Sequence, residues 1–259
     1  KLEARFPEPS IHPPEPAAAF LSALIEEYAD EWGNKPMFHY RWFYAADQQS
    51  AGERLARGMM PDVADDQLPN GIAMITGRMI PRLALVGSSA ATKDQIEASY
   101  RRQLAILERH LGGRTYLFGE RPAFADFGLF AQLHQLSTDP TPAALMRGTP
   151  RVARWIQAML GPRAEGDLEP WAQLAPTLTP LLHDEVGAVF LPWSTANAAA
   201  LAAGEKTFNV TIDGKPFSQE TQKYHAKSLA ALKARYAAVA DTAALDPILE
   251  AAGCRQWLR

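Results

Sequence analysis

The sequence contains an apolar run with a single carboxylate, Asp126, near its start: RPAFADFGLFAQL at residues 121–133. This run limits the folds that the chain can adopt. Apolar residues after Asp126 cover most of the circumference of a helix: Phe127, Leu129, Phe130 and Leu133. A helix that is apolar nearly all round is stable only inside a domain. A carboxylate in the first turn accepts hydrogen bonds from unpaired amides and meets the positive end of the helix dipole. The run therefore predicts a central helix at about 123–137, with Asp126 in a structural role.

The composition limits the class of protein. The chain has 259 residues, nearly half of them hydrophobic, which is ample for a buried core. A net charge of −3 gives no broad basic field for nucleic acid, and the longest apolar stretches are too short to cross a membrane. Cys254, the single cysteine, has no second cysteine with which to form an internal disulfide. We expect a soluble cytoplasmic protein without a nucleic-acid or membrane partner.

The chain begins KLEARFPEPSIHPPEP, without a methionine or a signal segment. KLEAR has the pattern of the last turn of a helix, so we expect further chain before residue 1. The five prolines that come next exclude a helix and predict a stiff linker.

Helical periodicity dominates the first two thirds of the chain. A helix is predicted at 17–32, and a single second helix from Pro36 carries MFHYRWFYAADQQSAGERLARGMM. The loop MMPDVADDQLPNG comes next, and then a shorter helix at 71–86. The clearest helix begins at Thr92, where Thr92 and Gln95 have the spacing of a capping box, and ends at Gly112.

The last third changes in composition after Pro162. A helical pattern at 174–204 is interrupted by three prolines. FNVTIDGKPF alternates apolar and polar residues around Asp213-Gly214, which predicts a β-hairpin at about 207–217. Helices at about 219–239 and 243–252 complete the chain.

A segment around Asp126 resembles the C-terminal domain of the glutathione S-transferase family. The residues that carry the resemblance lie at and before the start of the apolar helix: Tyr116, Leu117, Phe118, Gly119, Pro122, Ala125 and Asp126. YRRQLAILERHL fits that family's preceding helix, and RVARWIQAM, at about 151–160, fits the following one. The resemblance implies an all-α helical bundle with the β-hairpin in a C-terminal extension. It divides the chain into the end of a preceding domain and a linker (1–14), the family domain (15–162) and the extension (163–259).

In the resembling family, a thioredoxin-like domain holds glutathione, and this sequence resembles only the last helix of that domain, the linker and the helical domain that come after it. The resemblance therefore implies that glutathione is a co-substrate only when the thioredoxin-like domain is present, and that this chain alone binds no cofactor. It also implies a homodimer. Two functions remain open: the substrate-binding part of a transferase-like enzyme acting on a small apolar electrophile, and a non-catalytic helical ligand-binding or assembly module.

FHYRWFY, at residues 38–44, is the densest polar and aromatic cluster. The resemblance implies that side chains here face the electrophile, and the candidate residues are His39, Tyr40, Arg41, Phe43 and Tyr44. Helical spacing places His39 with Phe43 and Tyr40 with Tyr44, and it leaves Arg41 on another face. The alternative, which we favour, is that the aromatic residues belong to the core or an interface and that Arg41 is a surface or paired cation.

Arg78 and Arg82 lie four residues apart and have the spacing to hold one carboxylate of a substrate between them. Ion pairing with the acidic DVADD loop is the more common arrangement, and we favour it. The histidines lack metal-ligand spacing, and motifs of hydrolases and nucleotide-binding loops are absent. VGSSAAT, at 86–92, is interpreted as a loop and helix cap rather than an anion site, and Cys254 as a packed apolar residue.

Overall fold

The computed structural model describes residues 5–62 and 64–259. The expected helical turn KLEAR lies mostly on residues 1–4, outside the described residues, and Arg5 lies in a turn. Residues 6–15 are irregular, in agreement with a proline-rich linker. The α-helices of the chain are α1 (Pro16–Glu31), α2 (Asn34–Phe43), α3 (Ala45–Met59), α4 (Leu68–Met79), α5 (Lys93–His110), α6 (Phe124–Ser137), α7 (Pro140–Met146), α8 (Pro150–Met159), α9 (Trp171–Leu181), α10 (Leu191–Ala202), α11 (Lys223–Ala237), α12 (Leu245–Ala251) and α13 (Arg255–Leu258).

The apolar helix α6 is the centre of the bundle, and α1 packs along it. Gly128 permits the close approach, because a Cβ there would lie 2.8 Å from Cγ of Glu26 and 3.0 Å from its Cα. Leu129 and Leu133 are fully buried. The all-α prediction is confirmed. Helix α6 also contacts α2, α7 and α8, but Phe127 is 38% exposed, so one face of this helix lies at the surface rather than inside the domain.

The prediction of a single helix from Pro36 to the end of GERLARGMM is wrong, because the helix is interrupted at Tyr44. Tyr44 has an extended backbone (φ −97°, ψ 136°) and separates α2 from α3. Its carbonyl accepts hydrogen bonds from the amides of Asp47 and Gln48, and so it begins α3. The Gln48 side chain donates to the Trp42 carbonyl (2.8 Å), which satisfies an acceptor at the break.

The predicted helix at 71–86 begins earlier and changes type. The α-helical part ends at Met79, and a 3₁₀ helix (Ile80–Val86) comes directly after it. Proline is tolerated near the start of a new helix but not in the interior of an old one, which places the change at Pro81. Gly87 ends the segment with φ +74°.

The predicted capping box at Thr92 and Gln95 is also wrong. Thr92 has a helical backbone, and its hydroxyl donates to the Gly87 carbonyl (2.5 Å). The Gln95 side chain donates to the carbonyls of Ile212 (2.9 Å) and Lys215 (3.1 Å) instead. Both side chains thus tie other segments to α5 rather than capping it.

The β-hairpin prediction is confirmed. Strands β1 (Thr207–Ile212) and β2 (Lys215–Glu220) pair antiparallel, with Ile212 opposite Lys215. Asp213 (φ 51°) and Gly214 (φ 71°) form the two-residue turn with positive φ at both positions.

The proline-containing segment before the hairpin stays helical throughout. A π-helix (Leu182–Phe190) joins α9 to α10, and the Leu191 amide donates to the Val186 carbonyl five residues back. Pro192 has no amide to donate and its ring crowds the preceding turn, so a wider turn accommodates it. Residues of this segment share one apolar core with α1, α5 and α6, and the three-part division of the chain stays a prediction.

Candidate functional site

The structure brings together four of the seven candidate residues, all at the carboxyl end of α2. The ring centroids of His39 and Phe43 are 4.7 Å apart, and those of Tyr40 and Tyr44 are 6.1 Å apart. These are the two pairs that helical spacing predicts. His39 and Tyr40 are buried, whereas Phe43 and Tyr44 are half-buried.

His39 connects a serine to a carboxylate. Its Nδ1 lies 2.7 Å from Oγ of Ser88, in the loop before α5, and its Nε2 lies 3.3 Å from Oε1 of Glu97 on α5. An ionised carboxylate only accepts hydrogen bonds, so Nε2 of His39 donates to Glu97 and the Ser88 hydroxyl donates to Nδ1. This arrangement holds the imidazole neutral in one tautomer.

The electrostatic surroundings keep His39 neutral and Glu97 charged. Burial lowers the pKa of His39, and the nearby Glu97 carboxylate opposes this shift only in part. Burial also acts to raise the pKa of Glu97, but hydrogen bonds from Tyr44, Arg101 and His39 outweigh it and hold that pKa below its usual value. Arg101 donates to Oε2 of Glu97 at 2.8 Å. We refer to Ser88, His39, Glu97 and Tyr44 as the His39 cluster.

The His39 cluster has the order of a nucleophile, a base and an orienting carboxylate, which is the order of a catalytic triad. The loop itself does not meet a further requirement of acyl transfer, which is a pair of free amides. The amides of Ser88 and Ser89 are already used, since they donate to the Leu83 carbonyl (2.9 Å) and to Oγ1 of Thr92 (3.0 Å). Neither amide is therefore available to stabilise an oxyanion. With Ser88 only 4% exposed, the cluster acts as an internal connection between α2 and α5.

Tyr40 lies beneath this cluster. Its ring packs edge-on against Tyr100 at 5.3 Å, and burial raises the pKa of its hydroxyl. Within the described residues, the Tyr40 hydroxyl has no hydrogen-bond partner. Tyr40 is thus a core residue.

Arg41 points to a different part of the molecule. It donates from Nε to Asp139 (2.8 Å) and from Nη2 to the Gln135 carbonyl (3.1 Å). Arg54 of α3 donates to the other Asp139 oxygen at 2.6 Å. Arg41 is therefore a paired, nearly buried cation that joins α2 to the end of α6.

Arg78 and Arg82 are exposed on α4 and the 3₁₀ helix, away from the His39 cluster. The expected ion pairing with the DVADD loop is wrong for both of them among the described residues. Arg57 of α3 pairs with Asp65 of that loop instead, at 3.2 Å. Arg57 lies nearer because it belongs to the helix from which the loop emerges.

Sequence analysis missed a buried lysine beside the same loop as Ser88. Lys35 is fully buried, and its ammonium donates to Oε1 of Gln219 (2.8 Å) and to the Val86 carbonyl (3.1 Å). The ammonium also lies 4.0 Å from the ring centroid of Trp193, and burial lowers its pKa well below the usual value. Lys35 ties the hairpin to α2.

The residues that complete these clusters gave weak signals. Ser88 belongs to the VGSSAAT segment, which by itself favoured only a loop. Glu97 lies four residues after Lys93 and four residues before Arg101 on α5. Alternating charges at this spacing are typical of an exposed helix face. No sequence rule pairs Ser88 or Glu97 with a histidine that lies some fifty residues away.

Two cavities lie away from the His39 cluster. One of about 490 Å³ opens between the linker, α1 and the end of α11, beside Phe20 and Arg235. Another, of about 180 Å³, lies between α6, α7 and α8 beside Met146. His39 and its partners line neither of them.

Several other features of the described residues bear on function. Across 5–62 and 64–259, no three His, Cys, Asp or Glu side chains come together in a group that could hold a metal ion. In the same residues, no helix is both long enough and apolar enough to cross a membrane. Cys254 is buried, and burial raises its thiol pKa to about 12, so the thiolate nucleophile does not form at neutral pH.

The carboxylate of Asp126 supports the segment on which the family resemblance rests. It accepts from the amides of Leu117 (2.8 Å) and Ala123 (2.9 Å) and from Nε1 of Trp155 (2.8 Å). Burial raises its pKa to about 6, against the opposing effect of these donors. The carboxylate thus fixes the Tyr-Leu-Phe-Gly loop, the start of α6 and the nearby helix α8.

Comparison with known proteins agrees with this geometry. Residues 90–158 match the family model described as glutathione S-transferase, C-terminal domain. Two proteins named elongation factor 1-gamma, from Carassius auratus and Danio rerio, are each 31% identical to this chain over 78 residues. Each match covers 30% of this chain and only 18% of the relative. No solved structure matches the chain. Residues 90–158 are therefore similar to the C-terminal domain of the glutathione S-transferase family.

Proposed function

We propose that this chain is a non-catalytic helical assembly domain, which keeps the fold of a glutathione S-transferase C-terminal domain without thiol chemistry of its own. The observation that carries the proposal is the internal use of the candidate site. His39 and Arg41 are held by internal hydrogen bonds, and Tyr40 is packed in the core. Side chains committed in this way do not form the wall of an electrophile pocket.

The relatives support the same interpretation. Both have the name of an elongation factor rather than of a transferase. A fold of this kind supports functions other than catalysis, since function depends on sites rather than on architecture. We further propose that the domain forms a homodimer in the cytoplasm, where its single cysteine stays reduced and buried.

A second candidate function is the substrate-binding part of a transferase-like enzyme that acts on a small apolar electrophile. It is favoured by Phe43 and Tyr44, whose half-buried rings pack edge-on with their centroids 5.2 Å apart. In this candidate, glutathione is supplied by a thioredoxin-like domain, and this chain by itself binds neither glutathione nor another cofactor.

Thermal unfolding separates the two candidates. A ligand at 100 times its Kd adds about 2.7 kcal/mol to the free energy of unfolding, so specific binding gives a clear rise in Tm. We expect no rise with reduced glutathione or with an aromatic glutathione conjugate. A rise with the conjugate that Phe43→Ala abolishes, and that Phe127→Ala on the exposed face of α6 leaves intact, would establish the second candidate.

A further inference from the structure

Helix α4 has one face in the molecule and one face without a partner. Leu68, Gly71 and Ile75 pack against α3, and a Cβ on Gly71 would lie 2.9 Å from the Met60 side chain. The opposite face is exposed along its length and continues onto the 3₁₀ helix. Its exposed residues are Asn70, Ala73, Met74, Gly77, Arg78, Pro81 and Arg82.

This exposed face is apolar at its centre. Met74, at its centre, is 57% exposed, and Leu85, beyond Arg82 on the 3₁₀ helix, is 45% exposed. Gly77 is among the least favourable residues for a helix interior, and in the described structure a Cβ there would meet nothing within 4 Å. Packing within the molecule therefore does not require glycine at position 77. The close approach of a second helix would favour glycine there, because a larger side chain would hold the two helices apart.

The charges at the two ends of this face are opposite. Arg78 and Arg82 lie at the carboxyl end, and within the described residues neither forms an ion pair. The loop at the amino end carries Asp62 and Asp66, which are exposed and form no ion pair within the described residues, and Asp65, which pairs with Arg57. This order suits the dipole of α4, but the dipole explains neither the exposed Met74 nor Gly77.

We propose that the exposed face of α4 binds the same face of a second copy of this chain, with the two α4 helices antiparallel. Residues 73 and 74 lie midway between the acidic loop and Arg82, so a two-fold axis near Met74 brings Arg78 and Arg82 of each copy to the acidic loop of the other. Such an interface is self-complementary and closed. The proposal rests on the assembly function above and names its surface.

Charge reversal tests this pairing in the full chain. Arg78→Glu with Arg82→Glu places like charges opposite each other, and we expect the dimer dissociation constant to rise about a hundredfold or more in sedimentation equilibrium. The reversal Asp62→Lys with Asp66→Lys, which leaves the Arg57–Asp65 pair intact, should have the same effect. An equimolar mixture of the two variants should form a heterodimer, because each acidic surface then meets a basic one.

A central substitution supplies the second test. Gly77→Arg places bulk and charge near the axis and should leave a folded monomer with an unchanged circular dichroism spectrum. Gly161→Arg, after α8, is the control, since a Cβ there also meets nothing within 4 Å in the described structure. This control should dimerise like the wild type.

The outcomes separate the two proposals. A wild-type dimer that both charge reversals and Gly77→Arg leave intact would overturn the α4 surface and leave the assembly function in place. A wild-type chain that stays monomeric at its highest soluble concentration would overturn both the surface and the homodimer. A monomer that binds an acidic peptide through Arg78 and Arg82 would show that the occupant is another protein, and would also overturn the pairing of two copies.

Discussion

Asp126 and Glu97 are both buried carboxylates, but they are held in different ways. Asp126 takes two of its three donors from backbone amides three and nine residues away in sequence. Glu97 takes its donors from side chains, and two of these, His39 and Tyr44, lie at the end of α2 more than fifty residues away. The first arrangement is a local consequence of a helix start, whereas the second exists only after α2 and α5 have packed.

The largest expected effect comes from removing the local carboxylate. Asp126→Ala leaves three buried N–H donors without an acceptor, and each unsatisfied donor costs about 1–3 kcal/mol. We expect a loss of about 3 kcal/mol or more in the free energy of unfolding, measured by urea denaturation. Asp126→Asn, which keeps one carbonyl acceptor, should lose less. Equal losses in the two variants would mean that the hydrogen bonds are not the cause.

The pH dependence of stability tests the role of Asp126 in a second way. The pKa of Asp126 is about 6 in the folded protein and 3.8 ordinarily, so between these values the folded state holds a proton that the unfolded state has released. The part of the stability that comes from this bound proton is therefore complete below about pH 4 and is lost as the pH rises through 6. The stability advantage of the wild type over Asp126→Asn should shrink from about pH 4 to about pH 6. If the stability difference between the wild type and Asp126→Asn stays constant across that range, the pKa of Asp126 is not raised in the folded protein.

A smaller loss is expected from the cluster that depends on packing. His39→Ala removes a buried ring and leaves the Ser88 hydroxyl without its acceptor, which should cost about 2–4 kcal/mol. In a double-mutant cycle, His39→Ala and Ser88→Ala should be coupled, because they remove the two ends of one hydrogen bond. His39→Ala with Asp126→Asn should be additive. Coupling between the latter pair would contradict the separation of the two regions.

The hairpin turn is a second locally determined feature and gives a smaller effect. Gly214 has φ +71°, where a β-branched side chain is strained, so Gly214→Val should cost about 1–2 kcal/mol in urea denaturation. Gly161→Val is the control, because its position is exposed and has no positive φ. If both variants unfold at the same urea concentration as the wild type, the turn contributes nothing to stability.

The same contrast explains how much of the fold could be predicted from the sequence. Periodicity and turn residues are local signals, and they predicted α6, α5, α8 and the Asp213-Gly214 hairpin within a few residues. The break at Tyr44 carries no glycine or proline, so no local signal marks it. Two contacts that only the structure shows accompany the break: the Tyr44 hydroxyl donates to Glu97, and the Gln48 side chain donates to the Trp42 carbonyl.

The candidate site was predictable only as a set of side chains. Spacing on one helix correctly paired His39 with Phe43 and Tyr40 with Tyr44. Their partners come from the loop before α5 and from α5 itself, which periodicity does not place relative to α2. Lys35 was missed for the same reason, since a lysine in a polar helix start gives no sign that Gln219 and Trp193 will enclose it.

We infer that the His39 cluster is an internal connection and not a ligand site. Histidine-selective NMR on the full chain tests this role by following the ring resonances of His39 as the pH falls, with and without an aromatic glutathione conjugate. We expect a neutral imidazole with Nε2 protonated and a pKa below 6.5, because burial outweighs the Glu97 carboxylate, and we expect no change with the conjugate. A ring that titrates at 6.5 or above, or whose resonances shift on adding the conjugate, would contradict the internal role and place His39 in a binding site.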